Sequence, residues 1–402
     1  MKYIILIGDG MSDYPLEEKG GQTPLQISRT PSMDLLAQKG DLGLVKTIPE
    51  GMGPGSDVAN LSVLGYDPGR FYTGRAPIEA ASIGVKLSEQ DVAFRCNLVT
   101  LVQRDGGLYM DDYSAGHIST EDAALIVNAL KEKFDSEEIT FYPGVSYRHL
   151  MVWKQGECGM ITFPPHDISG RKIDPYLPRG QGAAKILKLM ELSRDILPSL
   201  ESNTEKKNRG EKPANAIWLW GQGRSLKVPE FSSKYGLAGS VVSAVDLIKG
   251  LGISAGLTPI FVPGATGYLD TNYEGKVYAA LNALETVDFV YLHVEAPDEA
   301  SHKGSFKEKL QAIEDFDKNV VTPVMEGLAG NFGQYRLMVL PDHPTPLSIM
   351  THASDPVPFV IYSSQDLGKK ARKQIGYNEQ DAKETGLYIA NGWELMDRFI
   401  GE

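Results

Sequence analysis

The sequence predicts a doubly wound α/β core assembled from both ends of the chain, with a smaller α+β domain inserted between them. Three observations predict it. Short apolar, β-branched runs near both termini stop at acidic turns, as strands buried on both faces of a parallel sheet do. Segments of helical periodicity alternate with them. The middle, from about residue 71 to 224, holds short mixed strands instead. At roughly 150 residues per domain, 402 residues allow two or three domains, and the expected boundaries are 1–72 with 229–402 for the core and 73–228 for the insert.

The elements follow in chain order. Tyr3–Ile7 reads as the first strand and ends at Gly8-Asp9-Gly10. In TPSMDLLAQKG, Thr30 suits an N-cap, Pro31 the first helical position and Gly40 the stop. Strands are expected within Ala93–Leu101 and Leu150–Trp153, and Ser119 with Asp122 opens a helix in capping-box spacing. Residues 201–213 (ESNTEKKNRGEKP) lack apolar periodicity and read as an exposed loop or helix end. Helices are expected over Lys276–Leu284 and Lys307–Val320, and strands over Asp288–Val294, Arg336–Leu340 and Pro358–Tyr362.

Composition narrows the function. Forty Lys+Arg against 52 Asp+Glu give a net charge of −12, which speaks against a nucleic-acid partner. An anionic substrate then needs a local basic pocket or metal ions. Two cysteines, Cys96 and Cys158, are too few for a disulfide framework and fit the reducing cytoplasm. There is no run of about 18 apolar residues, and the five-residue apolar run at the N-terminus is too short for a signal peptide, so no membrane association is expected.

The chemistry-bearing residues gather at strand ends. Four of the seven histidines lie between 293 and 352, interleaved with carboxylates. Asp298 and His302 are four apart, which on a helical turn puts both on one face. Asp342-His343 directly follow the RLMVL strand, His352 comes nine residues later, and Asp9 follows the first strand. Ligands of open α/β sheets collect outside the carboxyl ends of strands. Mixed carboxylate and imidazole donors suit Zn²⁺, Mn²⁺ or Fe²⁺ better than Ca²⁺, and this many groups suit two ions. The plainer reading of any single pair is a helix cap or a surface ion pair. Ser56 follows a Gly-Pro-Gly turn and opens the apolar-periodic segment Val58–Leu64. There it is either a nucleophile at a phosphate-binding helix start or simply the N-cap.

These stretches, with GDGMSDYP at 8–15, GPGSDVANLSVLGYDPGRFYTGRAPIEAASIG at 53–84, AFRCNLVT at 93–100, HVEAPDEASH at 293–302 and PDHPTPLSIMTHASDPVPF at 341–359, resemble the archaeal-type cofactor-independent (2,3-bisphosphoglycerate-independent) phosphoglycerate mutases. That family lies within the alkaline phosphatase superfamily, and the resemblance spans essentially the whole chain. It implies an alkaline-phosphatase-like core and an inserted domain that clamps a small phosphorylated substrate. It implies two divalent ions, usually Mn²⁺ with Zn²⁺, Co²⁺ or Mg²⁺ as alternatives, and no 2,3-bisphosphoglycerate. Asp9, Ser56, Asp342 and His343 would surround one ion, and Asp298, His302 and His352 the other. Lys234 would neutralise the phosphoryl group, and Arg75, His117, Arg148 and Arg224 would contact substrate. The implied activity is interconversion of 3- and 2-phosphoglycerate, a glycolytic step, through phosphoserine. The aromatic, neutral stretch IWLWGQGRS at 217–225 departs from the family pattern. It leaves open a homoserine kinase-like phosphotransferase or a metal-dependent phosphomonoesterase on the same scaffold. Oligomeric state is not readable from the sequence.

Overall fold

The computed structural model describes residues 1–372 and 375–401. These fall into two compact units, Met1–Tyr72 with Lys227–Glu402, and Thr73–Leu226. Strands are numbered along the chain. The first unit begins with β1 (Lys2–Gly8) and β2 (Asp41–Val45). The second unit carries β3 (Val92–Arg104), β4 (Gly107–Asp112), β5 (Ile139–Tyr142), β6 (Arg148–Trp153), β7 (Met160–Ile161), β8 (Arg179–Gly180) and β9 (Ala216–Gly223). The first unit then resumes with β10 (Gly239–Val242), β11 (Thr258–Ile260), β12 (Phe289–Val294), β13 (Tyr335–Leu340), β14 (Val357–Ser363) and β15 (Tyr388–Ile389).

The larger sheet has the order β11-β10-β12-β1-β13-β14-β2-β15. β1 runs parallel to both β12 and β13, with Gly8 level with Val294 and Ile7 level with Leu340. That register brings the residues after all three strands to one edge. β14 is antiparallel to β13, so its beginning, not its end, lies at that edge. The loop carrying His352 into β14 therefore arrives at the same rim as Asp9 and Asp342. β2 is antiparallel to β14, so the chain leaving β2 toward Ser56 also emerges there.

Helices cover both faces, as burial of both faces of the central strands requires. On one face, Ile4, Leu6, Val290, Leu292, Leu337 and Val339 pack with residues of the helices Pro31–Lys39, Tyr273–Thr286 and Phe306–Phe316. On the other, Tyr3 meets Phe399 edge to face, and Tyr291 reaches Asn60 of the helix Ser56–Val63.

Two helix ends differ from the sequence expectation. Thr30 stands at the N-cap of Pro31–Lys39 but makes no side-chain cap bond. The Asp317 carboxylate accepts from Met33 N–H (2.7 Å) and Ser32 N–H (3.2 Å) instead, a cap supplied from 284 residues away that local sequence cannot show. The expected helix over 307–320 is α-helical only to Phe316 and continues as a π turn, Asp317–Val321, which aims that carboxylate.

The inserted unit is an antiparallel sheet, order β4-β3-β6-β5, with β9 on the other side of β3. The helices Thr120–Phe134 and Ala183–Ile196 contribute apolar residues to its own core around Phe94, Phe141 and Trp218. Ser119 caps the first by accepting from Asp122 N–H. Residues 201–208 form a helix, and the charged stretch beyond is exposed apart from Pro213. No helix among the described residues is long and apolar enough to cross a membrane.

Candidate functional site

The rim of the larger sheet gathers seven polar side chains. Asp9, Asp298, Asp342 and His343 are all buried, whereas Ser56 and His352 are only half-buried. Ser56 is the first residue of its helix, with Gly55 at the N-cap and no side-chain cap bond. Its hydroxyl is thus not used as a cap. It lies 3.1 Å from His343 Nε2. The same nitrogen stands 3.6 Å from Asp9 Oδ1 and 3.5 Å from Asp342 Oδ2. Asn60, one turn along the helix, donates to the Ser56 carbonyl (2.8 Å) and to Asp342 Oδ2 (2.7 Å), tying the helix start to the rim.

Asp298 and His302 share one face of the helix Ala296–His302, with Asp298 Oδ2 3.1 Å from His302 Nε2. His302 Nε2 and His352 Nε2 face each other at 3.0 Å, and His352 Nε2 lies 3.6 Å from Asp298 Oδ1. Two sets of donor atoms, Asp9/Asp342/His343 and Asp298/His343/His352, each lie within 4.8 Å of one another. His343 belongs to both. Gly10 allows this close approach: it has φ +64°, and a Cβ there would stand 2.7 Å from both Asp298 Oδ1 and Thr345 Oγ1.

The electrostatics are those of a site short of positive charge. Burial, then the Asp342 and Asp298 carboxylates, push the Asp9 carboxyl well above its ordinary range. Against the effect of burial, His352 and His302 hold Asp298 well below the carboxylate range. Burial lowers His302, but Asp298 outweighs it and lifts the imidazole to about 9. Asp9 Oδ1 is buried with no hydrogen-bond partner. An orphaned carboxylate oxygen amid two further carboxylates and mixed N/O donors is the setting a divalent cation satisfies. The residues present fit metal ions.

The structure does not bring Lys234 to Ser56. Its ammonium donates to the Gly65 carbonyl and lies over the rings of Tyr66 and Tyr235. Gly65 is nine residues beyond Ser56, past the opposite end of that helix, and at about 1.5 Å per residue the helix separates them by more than 10 Å. A cation is favoured at that carbonyl-rich C-terminal end, and that is where Lys234 is held.

The basic residues of the inserted unit divide. Arg75 Nε meets Glu79 Oε1 (3.0 Å), and Arg95 Nε meets Glu79 Oε2 (2.9 Å). Burial pushes the Arg95 guanidinium down to about 10, Glu79 opposing and the nearby Arg75 and Arg148 charges adding to the effect. Arg148 is exposed, with its guanidinium over Tyr147, and exposed His117 packs against the same ring. Two arginines thus meet the Glu79 carboxylate, and the Arg148 charge lies near enough to Arg95 to be felt there. Arg224 is not among them: it donates to the carbonyls of Gln90 (2.5 Å) and Gly156 (3.0 Å) and binds loops together.

Three contributors carried no sequence signal of their own, Asn60, Thr345 and Arg95, and a fourth, His293, was given no role. His293 was visible as one of the clustered histidines, but it lies inside β12, where periodicity reads only as a buried strand position.

A serine hydroxyl facing clustered carboxylates and imidazoles at the carboxyl edge of such a sheet marks the class of α/β enzymes that move phosphoryl groups. The comparisons narrow the class. Residues 37–203 match a family model described as 2,3-bisphosphoglycerate-independent phosphoglycerate mutase. The chain is 54% identical over 400 residues, all of both chains, to a probable 2,3-bisphosphoglycerate-independent phosphoglycerate mutase of Geobacter sulfurreducens. It is 54% identical over the full length of both chains to the Methanosarcina mazei enzyme of the same name. Among solved structures, a Pyrococcus horikoshii protein matches with TM-score 0.82 and 28% identity, covering 99% of this chain and 97% of that one. A cofactor-independent phosphoglycerate mutase from Thermoplasma acidophilum matches with TM-score 0.63 and 26% identity, covering 100% and 99%. The chain belongs to the 2,3-bisphosphoglycerate-independent phosphoglycerate mutase family.

Proposed function

We propose that this chain interconverts 3-phosphoglycerate and 2-phosphoglycerate, without 2,3-bisphosphoglycerate, through a phosphoserine at Ser56. The observation that carries the proposal is the half-buried Ser56 hydroxyl, free of any capping role, 3.1 Å from His343 Nε2 at the junction of two donor sets. Asp9, Asp342, His343 and Ser56 would hold one divalent ion and Asp298, His302 and His352 the other, Mn²⁺ being the choice we favour over Zn²⁺, Co²⁺ or Mg²⁺. When bound, such ions neutralise phosphoryl oxygens and acidify a hydroxyl.

The chain's own groups account for the rest. Ser56 Oγ bonds to phosphorus in line as the bond from phosphorus to the glycerate oxygen breaks; Ser56 gives up its proton and the departing oxygen gains one. In the return step the other glycerate hydroxyl attacks phosphoserine and Ser56 recovers its proton. We assign the glycerate carboxylate to the guanidinium cluster of Arg75, Arg95 and Arg148, with His117 beside it, because bidentate guanidinium is the usual partner of a carboxylate. Lys234 and Arg224 are given no contact with substrate, since both are committed to backbone carbonyls. Water must stay out while phosphoserine exists, or the enzyme becomes a phosphatase. With two free cysteines and no spanning helix among the described residues, we place the reaction in the cytoplasm.

A coupled assay tests this. The purified chain with Mn²⁺ and 3-phosphoglycerate is expected to form 2-phosphoglycerate without ATP, and chelator is expected to abolish turnover. Product formed only from homoserine and ATP would replace the mutase with a kinase. Release of inorganic phosphate in place of the isomer would make it a phosphomonoesterase.

A further inference from the structure

Thr345 lies two residues beyond His343 in the loop after β13, fully buried and outside both donor sets. Its Oγ1 donates to Asp298 Oδ1 (2.5 Å) and lies 3.2 Å from His343 Nδ1. A hydroxyl has one hydrogen and two lone pairs. With that hydrogen directed at Asp298, the oxygen can only accept on its other side. His343 Nδ1 must then carry a hydrogen, and the lone pair of the neutral ring falls on Nε2. That nitrogen is the one facing Ser56 Oγ, Asp9 Oδ1 and Asp342 Oδ2. Which ring nitrogen of a histidine is available to a metal is set by the hydrogen bond the other one makes.

The hydroxyl is held where this requires. Thr345 N–H donates to the Ser12 carbonyl (3.1 Å), and its own carbonyl accepts from Lys309 Nζ (2.9 Å). Lys309 is fully buried and paired with Asp13 at 2.7 Å. Gly10 lies on the third side, where a Cβ would stand 2.7 Å from Thr345 Oγ1, so only glycine admits the hydroxyl at this position.

We propose that Thr345 is a positioning residue that couples the two donor sets, one hydroxyl orienting Asp298 for its set with His352 and selecting the Nδ1–H form of His343 shared by both. The proposal rests on the reading of these sets as metal-binding and adds to it a residue that touches neither ion nor substrate. It predicts that the two sites are not independent: removing one hydroxyl weakens both.

The test uses the full-length chain, wild type, Thr345→Val and Thr345→Ser. With ¹⁵N-histidine labelling and chelator at pH 8, the His343 ring, assigned with His343→Asn, should show a protonated Nδ1 and an unprotonated Nε2 in wild type and Thr345→Ser. Thr345→Val should lose that pattern. In Mn²⁺ titrations, Thr345→Val should weaken both binding events by roughly 10–100-fold, the usual cost of losing such an outer partner, and Thr345→Ser should restore them. A wild-type His343 protonated on Nε2 alone overturns the proposal whether or not any variant folds. So does a Thr345→Val chain with unchanged Mn²⁺ affinity. A wild-type chain that binds Mn²⁺ and shows this tautomer but turns over no phosphoglycerate would overturn the mutase reading and support the positioning role, because neither readout depends on turnover.

Discussion

The Nε2 nitrogen of His293 stands 3.0 Å from Asp9 Oδ2, and both side chains are buried. Burial pushes His293 down to about 4, so the ring is neutral near pH 7 and donates to Asp9. Its other nitrogen faces the Ser243 hydroxyl at 3.4 Å. One Asp9 oxygen is thereby engaged and the other, Oδ1, is left toward His343. His293→Leu is therefore expected to lower Mn²⁺ affinity by roughly 10–100-fold. His293→Gln, which keeps an N–H donor, should recover part of it. Equal affinity in wild type and His293→Leu would show that Asp9 needs no such partner.

Ser56→Ala should reduce turnover by at least about a thousandfold, as removal of a covalent nucleophile does. Asp9, Asp342 and His343 remain in place, so Mn²⁺ binding should change by only a few-fold. Wild type incubated with ³²P-labelled phosphoglycerate and quenched should carry label on Ser56. Label on a histidine or aspartate, or an active Ser56→Ala chain, contradicts the phosphoserine route.

Arg148 and Arg224 should respond in opposite ways. The exposed Arg148 guanidinium lies over the Tyr147 ring, so Arg148→Ala should raise KM for phosphoglycerate by about 10–100-fold, the worth of a charge-assisted hydrogen bond, and leave Tm unchanged. Arg224→Ala removes its bonds to the carbonyls of Gln90 and Gly156 and should lower Tm by a few degrees with KM within about twofold. The reverse pattern in steady-state kinetics and thermal melts would exchange their roles.

His149 makes the inserted unit sensitive to acid. Burial pushes its imidazole down to about 4. Nδ1 accepts from Gly144 N–H (2.9 Å) and Nε2 is buried without a partner. The unfolded chain, with a histidine near 6.5, binds more protons than the folded one between these values. Stability is therefore complete above pH 6.5 and declines as pH falls toward 4, by up to about 3 kcal/mol. His149→Gln should flatten that decline. Urea midpoints at pH 7.5 and 5 for both chains check it, and parallel slopes would assign the acid sensitivity elsewhere.

Much of the core was legible from local sequence because a buried parallel strand is a short apolar run and its end is a polar turn. Tyr3–Ile7, Arg336–Leu340 and Pro358–Tyr362 each lie within an observed strand for that reason. The residue types at the rim were equally readable, since Asp9, Asp298 and Asp342-His343 each follow a strand by a few positions. Where a helix is closed by a distant group, local sequence is blind. Thr30 looks like a cap, but Asp317 does the capping because a π turn carries its carboxylate there.

What the sequence by itself determined is the set of strands, the acidic and imidazole groups placed after them, and the serine that opens a helix; each depends on neighbours within a few residues. Tertiary structure decided which atoms meet. The antiparallel entry of β14 brings His352 to the rim, and the register of β1 against β12 and β13 sets Asp9 level with the residues that follow them. It also seats Lys234 beyond the far end of the Ser56 helix, a residue that spacing alone could not distinguish from a phosphate partner. Thr345 is the limiting case. Its hydroxyl carries a single proton, and the direction of that proton is set by groups 47 and two residues away that only the folded chain holds within hydrogen-bonding distance.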